Sequence, residues 1–232
     1  HPTGRLCHYL YEWRRKRGGT VRLIEAPKSR LKSIQRRINS DILSKIPVHD
    51  AAHGFRPQRS VKSFAEPHLG KTVVLAMDLQ DFFPSIPPAR FIRILMTAGY
   101  TEEVARTIAG LCTNSAPYAL WQSFPESADP ELNWKCRQLY QAPHLPQGAP
   151  TSPAIANLAA FRLDQRLAGL ARVAGAAYTR YADDLLFSGD RSFARSLPGF
   201  RKQVAAIVLM EGLQTNHHKT RVMFQSQRQR AA

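Results

Sequence analysis

Acidic residues and cysteines are scarce in this chain. Seventeen Asp and Glu stand against 33 Lys and Arg in 232 residues, a formal net charge of +16. That shortage of negative charge selects a polyanionic partner, nucleic acid ahead of an anionic membrane surface. The three cysteines, Cys7, Cys112 and Cys136, are scattered, with no CxxC pair and no zinc spacing. A disulfide framework and a cysteine-built zinc site are excluded. Reduced thiols and a cytoplasmic location are therefore expected. No run of 18 apolar residues occurs, so neither a membrane span nor a membrane partner is expected. The opening His1-Pro2-Thr3-Gly4 has no Met and no apolar signal region, and reads as a piece of a longer chain. Apolar residues at 44% exclude a disordered tail, and the length suits one large domain or two small ones.

What is abundant is clustered. Arg14, Arg15, Lys16, Arg17, Arg22, Lys28, Arg30, Lys32, Arg36 and Arg37 crowd the first 37 residues. Any one of them could be ordinary solvated charge, but the cluster together predicts a phosphate-binding surface. Arg17 to Thr20 predicts a hairpin turn before a strand at Val21–Glu25 that Pro27 ends. Leu31, Ile34, Ile38, Ile42 and Ile46 recur at helical spacing up to Pro47. The apolar run Val73–Met77 predicts a buried strand ending at Asp78. Helices follow over about 88–98, stopped by Gly99, and from Thr101 with a stripe of Val104, Ile108, Leu111 and Cys112. Residues 114–144 hold Pro117, Pro125, Pro130 and Pro143 and read as an irregular insertion. Ser152-Pro153 caps a helix burying Ile155, Leu158, Leu163 and Leu167. Two strands flank Ala182-Asp183-Asp184, a helix covers about 199–211, and a strand lies near Arg221–Phe224. Strands and helices alternate without a regular βαβ rhythm, so the fold class is α+β.

Three carboxylates stand out against this background. Asp78 ends an apolar strand, and Asp183 and Asp184 share a tight turn. Burying a carboxylate is costly, and adjacent carboxylates repel. A bound divalent cation removes both costs. Mg²⁺ prefers oxygen ligands and is commonly held by one or two carboxylates plus substrate phosphates. Two such ions clamp the attacking and leaving oxygens of a phosphoryl transfer. Alone, an Asp-Asp pair is more often a solvated turn.

Its context changes that. Tyr181-Ala182-Asp183-Asp184 resembles the YxDD box of reverse transcriptases, and other boxes of that family stand in the expected order. Ala76-Met77-Asp78-Leu79-Gln80-Asp81-Phe82-Phe83-Pro84-Ser85-Ile86 is similar to the first catalytic-aspartate motif. Leu145-Pro146-Gln147-Gly148-Ala149-Pro150-Thr151-Ser152-Pro153 is similar to the template- and nucleotide-contacting box. His53-Gly54-Phe55-Arg56-Pro57-Gln58-Arg59-Ser60 resembles the GFRPxRS segment of bacterial and intron-encoded members. Arg22-Leu23-Ile24-Glu25-Ala26-Pro27, with Lys32 and Gln35, resembles the basic fingers motif. Gly212 with Lys219-Thr220 resembles the box after YxDD. Six ordered boxes over residues 22–220 are specific where any one would be weak. The variants QGAPTSP, RYADD and AAHGF look most like retron-type bacterial reverse transcriptases.

The resemblance implies a right-hand polymerase with an antiparallel palm sheet packed on helices. Residues 1–70 would form fingers. Residues 71–232 would form the palm, including the 114–144 insertion and some fingers contribution, with the thumb absent. It implies RNA-directed DNA synthesis on a structured non-coding RNA template, with dNTPs as substrates, a DNA product and an effector protein as a further partner, in anti-phage defence. Asp78 and Asp183, assisted by Asp184, would hold two Mg²⁺ ions, or Mn²⁺ in their place. Arg22, Arg30 and Lys32 would grip the triphosphate. Gln147 and Gly148 would lie near the nascent base pair. Phe83, five residues after Asp78, would sit against the sugar, while Phe82 would point the other way on an extended segment. Lys219 would protonate pyrophosphate, with His217 and His218 as alternatives and a plain surface lysine as the rival reading. The rival functions are a group II intron-encoded reverse transcriptase, an RNA-dependent RNA polymerase, and a catalytically silent nucleic-acid-binding scaffold.

Overall fold

The computed structural model describes residues 7–15 and 21–226. The expected turn at Arg17 to Thr20 lies outside the described residues. The chain divides into two compact units, each built from separate stretches: residues 1–46 with 83–159, and residues 47–82 with 160–232. Residue 70 falls inside the second.

The first unit opens with strands β1 (Tyr9–Arg15) and β2 (Val21–Pro27) and helix α1 (Ser29–Asp41). The chain then enters the second unit with α2 (Val61–Ala65) and β3 (Val73–Asp78). It returns to the first for α3 (Pro88–Thr97), α4 (Glu102–Cys112), α5 (Pro130–Gln141) and α6 (Ser152–Ala159). The second unit is completed by α7 (Phe161–Val173), β4 (Ala177–Tyr181), β5 (Asp184–Gly189), α8 (Arg191–Met210) and β6 (Arg221–Phe224).

In the first unit β1 and β2 pair antiparallel, with Trp13 opposite Leu23 and Arg14 opposite Arg22. Segment 114–144 packs on this hairpin. Leu23, Ala116, Leu120, Trp121, Phe124 and Tyr140 form one buried cluster. The Trp13 ring lies 5.4, 5.1 and 5.8 Å from those of Trp121, Phe124 and Tyr140. The segment is thus not simply irregular: it holds a short 3₁₀ turn, Tyr118–Ser123, and the 12-residue helix α5. Two of its four prolines start structure rather than break it. Pro117 precedes the 3₁₀ turn, and Pro130 takes the first helical position, where its missing N–H costs nothing. Asp129 Oδ1 caps that helix at the Glu131 N–H, 2.9 Å away.

The second unit is a four-stranded antiparallel sheet in the order β4-β5-β3-β6. Alternation along the strands gives it two buried faces. Leu75 and Phe187, opposite each other, belong to the side where Phe187 meets Phe200 of α8, with ring centroids 5.1 Å apart. Val74 and Leu186 meet Phe64 of α2 on the other. α8 starts at Arg191 rather than near 199 and continues through Pro198, which lies inside it. Asp190 caps it, accepting from Ser192 N at 2.8 Å, and buried Phe193 and Leu197 carry its apolar stripe past the proline.

Other boundaries shift modestly. The first predicted helix ends at Asp41 and is followed by a 3₁₀ turn at Leu43–Lys45. The helix from Ser152 is two, separated at Ala160. Val104 is exposed, and Ala105 and Ala109 take the buried stripe of α4.

Candidate active site

The carboxylates belong to the second unit. β3 ends on Asp78, which is 5% exposed. β4 and β5 form a hairpin closed by the pair Tyr181–Asp184, leaving Ala182 and Asp183 as a two-residue loop. Because β5 neighbours β3, the register sets Asp78 directly opposite Asp184. The Leu79 N–H donates to the Asp183 carbonyl at 2.8 Å. Three acids from two distant parts of the chain therefore share one end of one sheet.

Lys219 joins them from a 3₁₀ turn, His217–Lys219. The segment before it is tied to β3 and its extension: Asn216 N donates to the Asp78 carbonyl at 2.7 Å, and Gln80 N to the Gln214 carbonyl at 2.8 Å. Lys219 Nζ then donates to Asp78 Oδ2 at 2.7 Å. The side chains of His217 and His218 are exposed. Lys219 is itself 58% exposed, and what sets it apart from the two histidines is its hydrogen bond to one of the acids.

The cluster is short of positive charge. Asp184 still reaches solvent, yet the protein packed around its carboxyl withholds water and pushes its pKa up to about 6. The neighbouring Asp183 and Asp78 push in the same direction, and Lys219 only partly opposes them. The Lys219 ammonium is held above its ordinary range, first by its hydrogen bond to Asp78. Among the described residues, no three His, Cys, Asp or Glu side chains are already closed around a metal position. The donors are nonetheless all carboxylate oxygens, suited to a hard cation that takes its other ligands from a substrate.

The turn that carries Asp183 is strained and braced. Ala182 has φ +54°, uncommon for a residue with a Cβ. Arg180, fully buried, donates from Nη1 to the Ala182 carbonyl at 3.0 Å. Its Nε and Nη2 bind both oxygens of buried Asp164 at 2.8 and 2.7 Å. The Tyr178 hydroxyl donates to the same Asp164 at 2.8 Å. Burial pushes the Tyr178 hydroxyl pKa well up, with the Asp164 charge adding to it. The GFRPxRS-like segment closes over the turn from outside. A Cβ on Gly54 would lie 2.8 Å from Ala182 N, so only glycine permits this approach. Neither Arg180 nor Asp164 was singled out in the sequence. The available signal was an arginine inside an apolar strand and an acid beside Leu163 on the buried face of a helix, each of which demands the other.

The remaining candidates belong to the first unit. Arg22 stands on β2, and Arg30 and Lys32 stand on α1, all with exposed side chains. Gln147 and Gly148 run beside β2, where the Glu25 N–H donates to the Gln147 carbonyl at 2.8 Å. Gly148 has φ +124°, and a Cβ there would lie 3.0 Å from the Glu25 carbonyl oxygen. The Gln147 side-chain oxygen is buried and has no hydrogen-bond partner. Phe83 is half-buried in a turn over residues 81–85, which corrects the extended segment expected there. Burial still separates the two phenylalanines. Phe82, in the second unit, is 3% exposed with the Arg180 guanidinium 5.7 Å from its ring centre.

Comparison with known proteins agrees with the boxes. The family described as reverse transcriptase (RNA-dependent DNA polymerase) matches residues 14–230. Retron Mx65 reverse transcriptase of Myxococcus xanthus is 47% identical over 95% of this chain and 49% of its own length. Retron Mx162 reverse transcriptase of the same organism is 38% identical over 96% of the chain and 46% of its own. Retron Ec86 reverse transcriptase of Escherichia coli is 31% identical over 86% and 53%. The chain thus spans about half the length of these relatives.

Proposed function

Since this chain belongs to the reverse transcriptase family, we propose that it forms the catalytic part of a retron-type RNA-directed DNA polymerase, extending a primer 3′-hydroxyl with dNTPs on a structured non-coding RNA. The observation that carries this is the sheet register, which sets Asp78 against the Asp183–Asp184 turn, with Lys219 hydrogen-bonded to Asp78. In this reading residues 1–70 are fingers, and residues 71–232 are the palm with the 114–144 segment and some further fingers contribution. The protein works in the cytoplasm in anti-phage defence beside an effector protein. Among the described residues no helix is long and apolar enough to cross a membrane.

Two Mg²⁺ ions, or Mn²⁺, held by Asp78 and Asp183 with Asp184 assisting, would supply activation of the primer hydroxyl and stabilisation of departing pyrophosphate. The chain's own residues do the rest. Exposed Arg22, Arg30 and Lys32 bind triphosphate oxygens, a guanidinium fork being well matched to them. Gln147 lies near the nascent base pair. Gly148 lets backbone approach the base pair closely. Phe83 packs against the sugar. Lys219, an ammonium already seated among the acids, holds a proton for the leaving group.

The test is primer extension by the full-length protein, with its co-purified RNA sequenced. Asp78→Asn and Asp183→Asn should abolish extension and leave the melting temperature nearly unchanged or higher. Full activity in either variant, or in excess chelator, refutes the assignment. A structured non-coding RNA supports the retron reading, and an intron RNA overturns it.

A further inference from the structure

Glu25 is fully buried in the first unit and has no place in the chemistry above. A buried carboxylate is a poor stability device, because a well-packed apolar side chain usually serves as well or better. What distinguishes Glu25 is what it touches. Its backbone N–H holds the Gln147 carbonyl at 2.8 Å, and its own carbonyl oxygen would lie 3.0 Å from a Cβ on Gly148, a tight contact. The main chain of Glu25 is thus the bed on which the Gln147–Gly148 box lies.

Its side chain is locked on both oxygens. Oε1 accepts from Asn114 Nδ2 at 2.7 Å, and the same amide nitrogen donates to the Tyr11 hydroxyl at 3.0 Å. Oε2 faces His144 Nε2 at 2.7 Å, and His144 Nδ1 faces the Ala142 carbonyl at 2.7 Å. A carbonyl can only accept, so Nδ1 carries a hydrogen. One further proton then sits between Nε2 and Oε2, on whichever atom. Asn114 and His144 are themselves joined by a pair of backbone hydrogen bonds, 3.0 and 2.9 Å, at the base of the segment between them. The Tyr140 ring stands edge-on to the His144 imidazole at 5.3 Å, and the Tyr140 hydroxyl accepts from Leu23 N at 3.2 Å. β2 is therefore pinned at Leu23 and at Glu25 itself.

We propose that Glu25, clamped by Asn114 and His144, is the positioning residue of the Gln147–Gly148 box, and so sets how tightly the incoming nucleotide is held. This rests on the reading of that box as a nucleotide contact. A rigid bed keeps the Gln147 amide and the Gly148 backbone in register with a base pair. A loose one lets them shift, and an ångström of misplacement costs far more in binding than in fold.

Three substitutions in the full-length protein test it, each read as dNTP KM, kcat per active site and melting temperature. Glu25→Leu strands the Asn114 amide and the imidazole; dNTP KM should rise about tenfold while kcat stays within about threefold. Glu25→Gln should rescue KM, because its amide oxygen still accepts from Asn114 and its NH₂ donates to the bare Nε2 of a neutral His144. If Glu25→Leu does not fold, Asn114→Ala removes one clamp alone and should raise KM about threefold. A folded Glu25→Leu, or Asn114→Ala, with unchanged KM and only a lower melting temperature overturns the proposal. Gln147→Ala separates the two claims. If it leaves KM unchanged, the nucleotide reading of the box fails. If it raises KM while Glu25→Leu does not, only the positioning role fails.

Discussion

Acid should loosen the hairpin that carries Asp183 through one buried histidine. His68 is 4% exposed and lies between Ser188 Oγ, 2.7 Å from Nδ1, and Thr179 Oγ1, 2.8 Å from Nε2. Thr179 spends its single hydroxyl hydrogen on the Phe64 carbonyl at 2.9 Å, so it must accept from Nε2–H. Nδ1 is then the bare nitrogen that accepts from Ser188. The neutral ring satisfies every partner, and a second proton would face a hydroxyl already used as donor. Burial accordingly pushes the His68 pKa from 6.5 down to about 4, with His53 and Lys71 adding to it. The sign follows from proton counting. Between pH 6.5 and 4 the unfolded chain binds a proton at this site and the folded chain does not. Stability is therefore complete above pH 6.5, falls as pH drops toward 4, and levels off below it. The whole swing is about 3 kcal/mol, and the part between pH 7.5 and 5 is about 2 kcal/mol. The assay is urea unfolding of wild type and His68→Gln at those two pH values. The glutamine can still donate to Thr179 and accept from Ser188 but does not titrate. Wild type should lose about 2 kcal/mol more than the variant on acidification. Equal losses would refute the argument and place the acid sensitivity elsewhere.

Two further outcomes follow from the acidic cluster and the sugar contact. Without divalent ions at pH 7.5, Asp184→Asn should raise the melting temperature by about 2–4 °C, because it removes a frustrated charge worth about 1 kcal/mol once its solvent exposure is allowed for; a lower melting temperature would contradict the crowding of carboxylates. Phe83→Ala should raise rNTP use relative to dNTP by about tenfold or more in kcat/KM, since an aromatic wall leaves a 2′-hydroxyl desolvated and unpaired; unchanged selectivity would remove Phe83 from the sugar site.

The acids were legible because each sits where local pattern ends: Asp78 closes an apolar run, and Asp183–Asp184 interrupts two short strands. The register that opposes Asp78 to Asp184 was not, since it depends on β5 pairing with a strand a hundred residues earlier. Helix α5 was obscured because prolines were weighed as breakers, although Asp129-Pro130 is a start signal. The first turns of α8 were hidden behind Pro198 for the same reason. Arg180 and Asp164 each stand where burial is expected and so call for a counter-charge, but nothing in local sequence identifies one as the partner of the other. The order of elements along the chain was readable, but the compact units interleave, and interleaving is a long-range property.

That interleaving has a cost during synthesis. β3 lies inside its sheet, yet both of its neighbours, β5 and β6, are encoded more than a hundred residues downstream. At ribosomal speeds the apolar run Val73–Met77 waits roughly 5–20 s before its first partner exists. During that interval it is a β-prone segment with two open edges, the kind that pairs with the wrong chain. The first unit, complete by residue 159, can close in the meantime. Slowing translation between β3 and β5 should therefore favour aggregation of the nascent protein, and a holdase covering residues 73–77 should relieve it.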